Sequence, residues 1–572
     1  MMEITGVIRR ESNAKQFLDS MDLERERGIT IKLKAIRMKY VYKGDEYQLN
    51  LIDTPGHVDF GYEVSRSLVA CEGAILVVDA SQGVQAQTIV NLEKAKSEGL
   101  KIIPVVNKID LPSAQAEACA LELIDLGFKE SDIYYTSGKT GAGVEDLIKG
   151  VIDNVPAPQE DKSDLGVPRA LVFDSFFDDY RGVIVFVRVL SGEFKSTDFV
   201  KFIAAKSESK IVDMGFLSPT EMRTDSLCAG EVGFIATGLK HIEDARVGDT
   251  ATISGQTPSA VSGYKVPMPV VFLSFYPDDS SEYLNLREAM QRLALNDAAF
   301  SFEPESIGTI GKGFRCGFLG LLHADIIRER VEREFGISVI TTSPSVRYLV
   351  TTTLGEEMEI KSAAEFPEIT TIEKTKEPWA SLSIYTPIGY MSEIMTLCKE
   401  RRAIFISTSQ LDGKRMKVSY EIPLIELIID FYDKLKSISS GYASIDYTLI
   451  DYRESLVSKM DILIGGDIVS PLSTLVQRQY AETEGKRIVS KLKTIIPRQQ
   501  FAISIQAAVG GKILAREDVS AFRKDVTGYL YGGDVTRKMK LLEKQKRGKK
   551  RLKRFGNIDV PQDVFWKVMQ RS

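Results

Sequence analysis

Three apolar stretches of the sequence each end in a short polar segment, and this arrangement constrains the fold more than any other feature of the chain. The stretches are residues 47–52, 101–106 and 132–136, and they are followed by the polar segments 53–57, 107–110 and 137–139. Short apolar runs of this kind are typical of strands in a parallel sheet that helices cover on both faces. Because the carboxyl ends of parallel strands meet at one edge, the three polar segments are predicted to form one ligand site.

The first polar segment carries the residue types of a magnesium-assisted phosphate site. Asp53 can hold the ion directly or through a water molecule. Gly56 has no Cβ, so a backbone N–H can approach a phosphate closely there. His57 lies where it can orient a water molecule for in-line attack. The alternative interpretation is an ordinary turn with a capping aspartate, since Asp-Thr-Pro-Gly also occurs for local reasons.

The second and third segments predict recognition of a guanine base. A carboxylate at Asp110 can accept two parallel hydrogen bonds from adjacent N–H donors, which guanine offers and adenine does not. Asn107 can tie the base to neighbouring backbone, and the stem of Lys108 can cover the plane of the base. The third segment can offer backbone N–H groups to the base carbonyl at Ser137, Gly138 and Lys139.

Together with Arg27-Gly28-Ile29-Thr30, these segments resemble those of the translational GTPase family. The resemblance implies that segment 27–30 is the first switch and that the Thr30 hydroxyl binds magnesium in the GTP state. It also implies that Asp53 belongs to the second switch and that His57 is the catalytic histidine. The expected activity is hydrolysis of GTP to GDP and phosphate, with GTP and Mg²⁺ at the site.

The sequence does not contain the phosphate loop G-x-x-x-x-G-K-[ST], whose backbone N–H groups and lysine neutralise phosphates in such enzymes. Residues 137–140 do not complete the pattern, because Ile133 stands where its first glycine would fall. In the family this loop precedes the first switch, so we expect it to lie upstream of Met1 together with the central strand that leads into it. The numbered chain should then bind GTP poorly. The alternative is a form of the protein that has no such loop.

Shifts in sequence pattern predict a multidomain α/β protein. The first part, 1–156, is expected to be a doubly wound GTPase-like domain without its first strand and phosphate loop. The remaining predictions are an antiparallel β-barrel, two ferredoxin-like α+β domains and a basic RNA-binding domain at residues 167–263, 264–345, 376–455 and 456–572. The α+β units resemble those of elongation factor G. About thirty residues separate them, too few for the elongated domain that elongation factor G carries there.

The run 311–323 and the segment from about 485 to 560 resemble the elongation factor 4 (LepA) family. That resemblance implies a GTPase that acts on the elongating bacterial ribosome by back-translocation of tRNAs and so affects translation fidelity. His323 is interpreted as a structural helix residue. One rival interpretation is a non-catalytic ribosome-binding protein that has lost its phosphate loop. Another is a GTPase of the elongation factor G type, which the short connection between the α+β units and the basic C-terminal part disfavour.

Basic residues are concentrated near the C-terminal end in a chain whose net charge is only −5. Between residues 537 and 554 one acidic residue, Glu543, stands against eleven basic ones: Arg537, Lys538, Lys540, Lys544, Lys546, Arg547, Lys549, Lys550, Arg551, Lys553 and Arg554. Such density suits the closely spaced phosphates of folded RNA, and ribosomal RNA and tRNA are the expected partners. A solvated charged helix and a polybasic contact with a membrane surface are the alternatives.

Composition places the chain among cytoplasmic globular proteins, with 44% hydrophobic and 27% charged residues. The five cysteines are scattered and form no C-x-x-C pair, so they are predicted to be reduced thiols rather than disulfides or zinc ligands. No apolar run reaches the roughly 18 residues of a membrane span. We expect a cytoplasmic protein, with peripheral association at the cytoplasmic face of the cell membrane as the alternative. We also expect it to be monomeric.

Overall fold

The computed structural model describes residues 1–8, 21–28, 30–56, 60–159, 166–261, 268–297, 299–307, 311–411, 415–522 and 539–543. Within these ranges the chain forms several units, each with its own sheet and buried core. This arrangement confirms the predicted multidomain α/β class.

The first unit alternates strands and helices, as its sequence pattern predicts. A parallel sheet has the order β3-β4-β5, and Asp79 at the end of β3 lies opposite Asn107 at the end of β4. Alternation of this kind places helices on the faces of the sheet. The elements are α1 (Asp22–Arg27), β1 (Lys34–Tyr42), β2 (Asp45–Asp53), α2 (Gly61–Val69), β3 (Gly73–Asp79), α3 (Ala86–Ser97), β4 (Lys101–Asn107), α4 (Ala116–Asp125), β5 (Tyr134–Tyr135) and α5 (Val144–Asn154).

Two strand predictions in this unit need correction. The predicted strand 132–136 contains only the two-residue β5, because Glu130–Asp132 forms a 3-10 turn that delays its pairing with β4. The predicted parallel strand that leads to Asp53 pairs antiparallel with β1 in a separate two-stranded sheet. The tight turn at Lys43 and Gly44, both with positive φ, makes this hairpin the nearest pairing available to β2.

Among the described residues, this hairpin forms no strand pairing with the parallel sheet, and Val77 on β3 is 54% exposed. The hairpin is held by side-chain contacts with the next unit and with α5 of its own unit instead. The Arg37 guanidinium donates to the backbone oxygen of Val232 at 3.0 Å and lies over the ring of Phe216. At the other end of the hairpin, Tyr42 donates to Asp153 on α5. Side-chain contacts therefore replace a continuous sheet here.

The next unit is an antiparallel β domain, as predicted. Its main sheet has eight strands in the order β10-β9-β15-β6-β7-β14-β11-β12, and β8 pairs with β13. Alternate valines of β7, at positions 183, 185, 187 and 189, face inward and fill the core together with Phe194 and Phe202. The strands are β6 (Arg169–Asp178), β7 (Gly182–Ser191), β8 (Glu193–Lys195), β9 (Phe199–Phe202), β10 (Ser207–Lys210), β11 (Asp213–Leu217), β12 (Glu221–Arg223), β13 (Ser226–Cys228), β14 (Val232–Ala236) and β15 (Thr250–Ile253).

The first α+β unit packs two helices on a four-stranded sheet of order β17-β18-β16-β19. Residues Gly311–Phe318 form β18, and its Gly313 has no room for a side chain, because a Cβ there would lie 2.4 Å from the Tyr276 ring and 2.5 Å from the backbone oxygen of Phe275. The elements are β16 (Val271–Pro277), α6 (Tyr283–Ala294), β17 (Ser301–Ile307), β18 (Gly311–Phe318), α7 (Leu321–Phe335) and β19 (Val339–Thr341).

The second α+β unit, residues 348–454, has a six-stranded sheet built around the long strand β22. Two strands upstream of residue 376 belong to this sheet. Two of its helices, Leu424–Ile428 and Phe431–Ile438, are separated at Asp430, whose φ is +56°. The elements are β20 (Tyr348–Thr352), β21 (Glu357–Ile360), β22 (Ile372–Pro387), α8 (Met391–Glu400), β23 (Ile404–Gln410), β24 (Arg415–Pro423), α9 (Leu424–Ile428), α10 (Phe431–Ile438) and β25 (Ser444–Glu454).

The last unit packs one amphipathic helix across an antiparallel sheet. Ile488, Val489 and Leu492 of this helix are buried against the sheet. The elements are β26 (Val457–Ile464), β27 (Asp467–Ile468), β28 (Thr474–Gln477), α11 (Ala481–Ile495), β29 (Ile503–Val509) and β30 (Lys512–Val519).

Candidate nucleotide-binding site

The candidate base site lies where β4 and β5 end side by side. β4 ends at Asn107, and Val106 is paired in register with Tyr135. The backbone N–H of Thr136 donates to the Val106 oxygen at 2.8 Å, and that of Ile109 donates to the Thr136 oxygen at 3.3 Å. These bonds bring segments 107–110 and 137–139 together, as the sequence predicts.

The Asn107 side chain ties the two segments together. Its Oδ1 accepts the backbone N–H of Gly138 at 3.0 Å and the Thr136 hydroxyl at 3.2 Å. With Oδ1 engaged in this way, the side chain presents its Nδ2–H₂ group as hydrogen-bond donor. An amide donor suits a ring nitrogen or carbonyl oxygen of a purine base.

Asp110 and Ser137 form the second link. The Ser137 hydroxyl, which is fully buried, donates to Oδ1 of Asp110 at 2.6 Å, and Ser137 Oγ accepts the backbone N–H of Thr140 at 3.1 Å. The hydroxyl therefore fixes one oxygen of an exposed carboxylate that retains further lone pairs for a ligand. Gly138 and Lys139 are exposed beside it, so their backbone is accessible from the same side.

Lys108 extends across this edge with φ +64°, and its Nζ pairs with Oδ2 of Asp79 at 2.8 Å. Burial raises the pKa of Asp79, but hydrogen bonds from Lys108 and Ser81 outweigh it, so that pKa lies below its ordinary value. Asp79 stays ionised and holds the lysine. The Lys108 side chain is 54% exposed, which leaves its stem available to a base. The arrangement of Asn107, Lys108, Asp110 and Ser137 is therefore chemically suited to a guanine base.

The predicted phosphate and magnesium residues are distributed over two segments. Thr30 is half-buried in the loop after α1, Asp53 is half-buried at the end of β2, and Gly56 is exposed three residues later. His57 lies outside the described residues, so its catalytic role stays a prediction. Within the described ranges, no group of three or more His, Cys, Asp or Glu side chains is placed to hold a metal ion.

Sequence reasoning missed Glu24, which shapes the loop that carries Thr30. Glu24 is fully buried, and its carboxylate accepts the backbone N–H groups of Met21 at 2.9 Å, Ile31 at 2.9 Å and Lys32 at 3.0 Å. In the sequence it is one of several charged residues in a short polar helix, so periodicity gives no signal for it. Its role is visible only once the loop folds back over α1.

A second missed contact joins the predicted first switch to the first α+β unit. The Arg27 guanidinium pairs with Asp325 and Glu329 on α7, each at 2.7 Å. The partners lie about 300 positions further along the chain, so no local pattern could indicate them. The segment around Thr30 is therefore anchored at both ends, by Glu24 within the unit and by Arg27 outside it.

Helix α2, which follows the predicted second switch, carries buried charges. Arg66 pairs with Glu63 and with Asp174, each at 3.7 Å. Burial raises the pKa of Glu63 to about 7, although Arg66 favours its ionised form.

His323 on α7 is 3% exposed, accepts the backbone N–H of Leu319 at 3.1 Å through Nδ1 and contacts Asp297 at 2.9 Å through Nε2. His323 is thus satisfied inside the fold, which agrees with the structural interpretation.

The predicted RNA-binding segment lies almost wholly outside the described residues. Lys540 is described and exposed. The roles of the other ten basic residues stay predictions: Arg537, Lys538, Lys544, Lys546, Arg547, Lys549, Lys550, Arg551, Lys553 and Arg554. No helix in the described part of the chain combines the length and the apolar character that crossing a bilayer requires.

Comparisons with protein-family models agree with this arrangement. Residues 1–157 match the elongation factor Tu GTP binding domain, and residues 182–252 match elongation factor Tu domain 2. Residues 374–463 match the elongation factor G C-terminus, and residues 464–570 match the C-terminus of GTP-binding protein LepA.

Whole-chain relatives give the same result. The chain is 50% identical to elongation factor 4 from a Picosynechococcus strain, over all of this chain and 95% of the relative. It is also 50% identical to elongation factor 4 from Parabacteroides distasonis, over all of this chain and 96% of the relative. A crystal structure of a protein from Thermus thermophilus shares the fold at a TM-score of 0.55 and 16% identity, covering 79% of this chain and 94% of that one. The chain belongs to the elongation factor 4 family of ribosome-associated GTPases.

Proposed function

We propose that this protein hydrolyses GTP to GDP and phosphate and couples that reaction to the elongating ribosome, where it promotes back-translocation of tRNAs and so supports translation fidelity. The observation that carries the nucleotide part is the linked set of Asn107, Asp110, Ser137 and Gly138 at the ends of two adjacent strands. The ribosomal part rests on family membership. A base site of this kind selects guanine through paired hydrogen bonds to one carboxylate.

The proposed reaction uses the residues that precede the base site in the chain. Thr30 and Asp53 hold Mg²⁺, Gly56 presents its backbone to the terminal phosphate, and His57 orients the attacking water molecule. Magnesium, when bound, neutralises charge on the phosphate oxygens. Glu24 supports this assignment, because its three backbone hydrogen bonds fix the loop on which Thr30 lies.

Ribosomal RNA and tRNA are the proposed partners of the basic segment 537–554. Its charge density favours phosphate contacts in folded RNA over a solvated helix. Binding to a membrane surface is the weaker proposal, because the family comparisons point to translation alone.

A non-catalytic ribosome-binding protein is the second candidate, because the sequence contains no G-x-x-x-x-G-K-[ST] motif. Against it, the candidate base site retains hydrogen bonds that link Asn107 and Asp110 to the segment after β5. A protein with no use for guanine has no chemical reason to keep these groups in register.

Titration with a fluorescent GTP analogue in magnesium, on the chain alone and with a phosphate loop fused ahead of it, separates the two candidates. The proposal expects weak binding by the chain alone and, once the loop is supplied, tight binding that GDP competes and ATP does not. In the Asp110→Asn variant, the amide offers a donor where guanine also has one, so preference should move toward xanthine nucleotides, which present a carbonyl there. Asp125→Asn, at the end of α4, is the matched control. Absence of guanine-nucleotide binding both with and without the added phosphate loop favours the non-catalytic candidate.

A further inference from the structure

The second α+β unit packs directly against the unit that holds the base site. Tyr385 of β22 is 4% exposed and belongs to the same buried cluster as Val78, Val84 and Leu123 of the first unit. Around this apolar contact, the Ser444 hydroxyl donates to Gln87 at 2.7 Å, and Lys94 pairs with Asp446 at 3.3 Å. The contact is therefore a packed interface with several independent anchors.

One side chain of this interface reaches the loop that follows β3. The Arg415 guanidinium donates to the backbone oxygen of Val84 at 3.2 Å and pairs with Glu122 at 3.4 Å. The same Glu122 oxygen accepts the backbone N–H of Val84 at 2.6 Å. The Arg415 side chain is only 12% exposed. Together, Arg415 and Glu122 bond both the backbone oxygen and the backbone N–H of Val84.

The loop held in this way, residues 79–84, begins at the aspartate that holds Lys108. The backbone of Asp79 bridges to Gly83 across the loop, and the Gly83 N–H donates to the Asp79 oxygen at 2.9 Å. The Asp79 carboxylate pairs with Lys108 at 2.8 Å, and the backbone N–H of Ala80 donates to the backbone oxygen of Asn107 at 2.8 Å. Loop 79–84 thus contacts both Asn107 and Lys108.

We propose that Arg415 is a positioning residue for guanine recognition: by clamping Val84 it holds loop 79–84, and through that loop it holds Asn107 and Lys108 in the geometry that receives the base. The inference rests on the proposed nucleotide function. It adds that docking of the second α+β unit tightens nucleotide binding, so that movement of that unit weakens it. The sequence alone gives no indication that Arg415 contacts Val84, since the two residues lie 331 positions apart.

Amide hydrogen exchange of the full chain without nucleotide tests the clamp. In Arg415→Ala, exchange should become roughly tenfold faster at Val84 and its neighbours, and faster also at Ala80 and over segment 107–110. Arg453→Ala is the matched control, because Arg453 lies in the same sheet and pairs with Glu421 and Asp451. Faster exchange confined to residues 82–84, or no change at all, overturns the proposal.

Nucleotide binding supplies the second measurement. Arg415→Ala should weaken GDP binding by roughly threefold to tenfold, with Arg453→Ala unchanged. Arg415→Lys, which keeps the charge but can make fewer of the contacts, should fall between them. If Arg415→Ala does not fold, Glu122→Gln breaks the same ion pair from the other side. Faster exchange over segment 107–110 with unchanged GDP affinity overturns the proposal. If the chain binds no GDP even with a phosphate loop fused ahead of it, the proposed function fails, whereas the exchange experiment still decides the clamp.

Discussion

The side-chain oxygen of Asn107 accepts the backbone N–H of Gly138 at 3.0 Å, and this bond joins the end of β4 to the segment that follows β5. The Thr136 hydroxyl donates to the same oxygen at 3.2 Å. Asn107 therefore supports the candidate base site through Oδ1, and its Nδ2–H₂ group remains the donor that the proposed function directs toward the base.

Replacing Asn107 by alanine should weaken GDP binding by roughly fivefold to 150-fold. Loss of the side chain leaves polar groups without partners, at about 1–3 kcal/mol. Fluorescence titration measures the change, and exchange of the Gly138 amide should quicken in parallel. Asn91→Ala on α3, which removes the same side chain elsewhere in the unit, is the control. Unchanged affinity would show that Asn107 has no part in binding the base.

Replacing His57 by alanine should lower ribosome-stimulated GTP turnover by about two to four orders of magnitude, the usual contribution of a positioned acid–base group. GDP affinity should stay nearly the same, because the proposed role concerns the attacking water molecule. Phosphate release under single-turnover conditions measures the first quantity, and titration measures the second. A parallel loss of both would make His57 a structural residue.

Replacing Glu24 by glutamine should loosen the Thr30 loop. Both carboxylate oxygens of Glu24 now accept backbone N–H groups, whereas in glutamine an NH₂ group replaces one of these oxygens. At least one backbone N–H would then face another donor and lose its hydrogen bond, which would destabilise the folded loop by about 1–3 kcal/mol. Exchange of the Ile31 and Lys32 amides should accelerate accordingly. Glu26→Gln, which removes a half-exposed carboxylate paired with Arg333, should leave those amides unchanged. Equal exchange in the two variants would contradict this account of the loop.

The raised pKa of Glu63 should make the free energy of unfolding depend on pH. Burial raises its pKa from 4.5 to about 7, so the folded state binds a proton more tightly than the unfolded state does. The resulting stabilisation is present below pH 4.5 and is lost as pH rises to about 7, with an upper limit of about 3 kcal/mol. Three charged or titratable neighbours face the Glu63 carboxyl. Arg66 and His323 lower its pKa, and Asp297 raises it.

Glu63→Gln should therefore be more stable than the unaltered chain at pH 8 and similar to it at pH 5. Denaturant unfolding at the two pH values, followed by a probe on α2, gives the difference. Glu98→Gln, at the exposed residue directly after α3, is the control. A stability difference for Glu63→Gln that does not change with pH would argue against a raised pKa.

The base site could be predicted from sequence because its parts follow local rules. An apolar strand followed by Asn107 and Asp110 places those side chains at a sheet edge, and the next strand brings Ser137 and Gly138 beside them. By contrast, the sequence pattern could not show that β2 would pair within a hairpin, because its apolar run fits either kind of sheet.

By itself, the sequence determined the family and the multidomain α/β class, since strand-end motifs and their order along the chain carry that information. It also predicted the residues that would recognise guanine, and their binding role stays a prediction. Only the tertiary structure decided that Glu24 is buried under the Thr30 loop, that Arg27 is tied to α7, and that Arg415 clamps Val84. The physical reason is distance along the chain. Arg27 and Arg415 bond to partners about 300 residues away, and the burial of Glu24 depends on a loop that folds back over its helix, so neither local propensity nor periodicity could indicate these contacts.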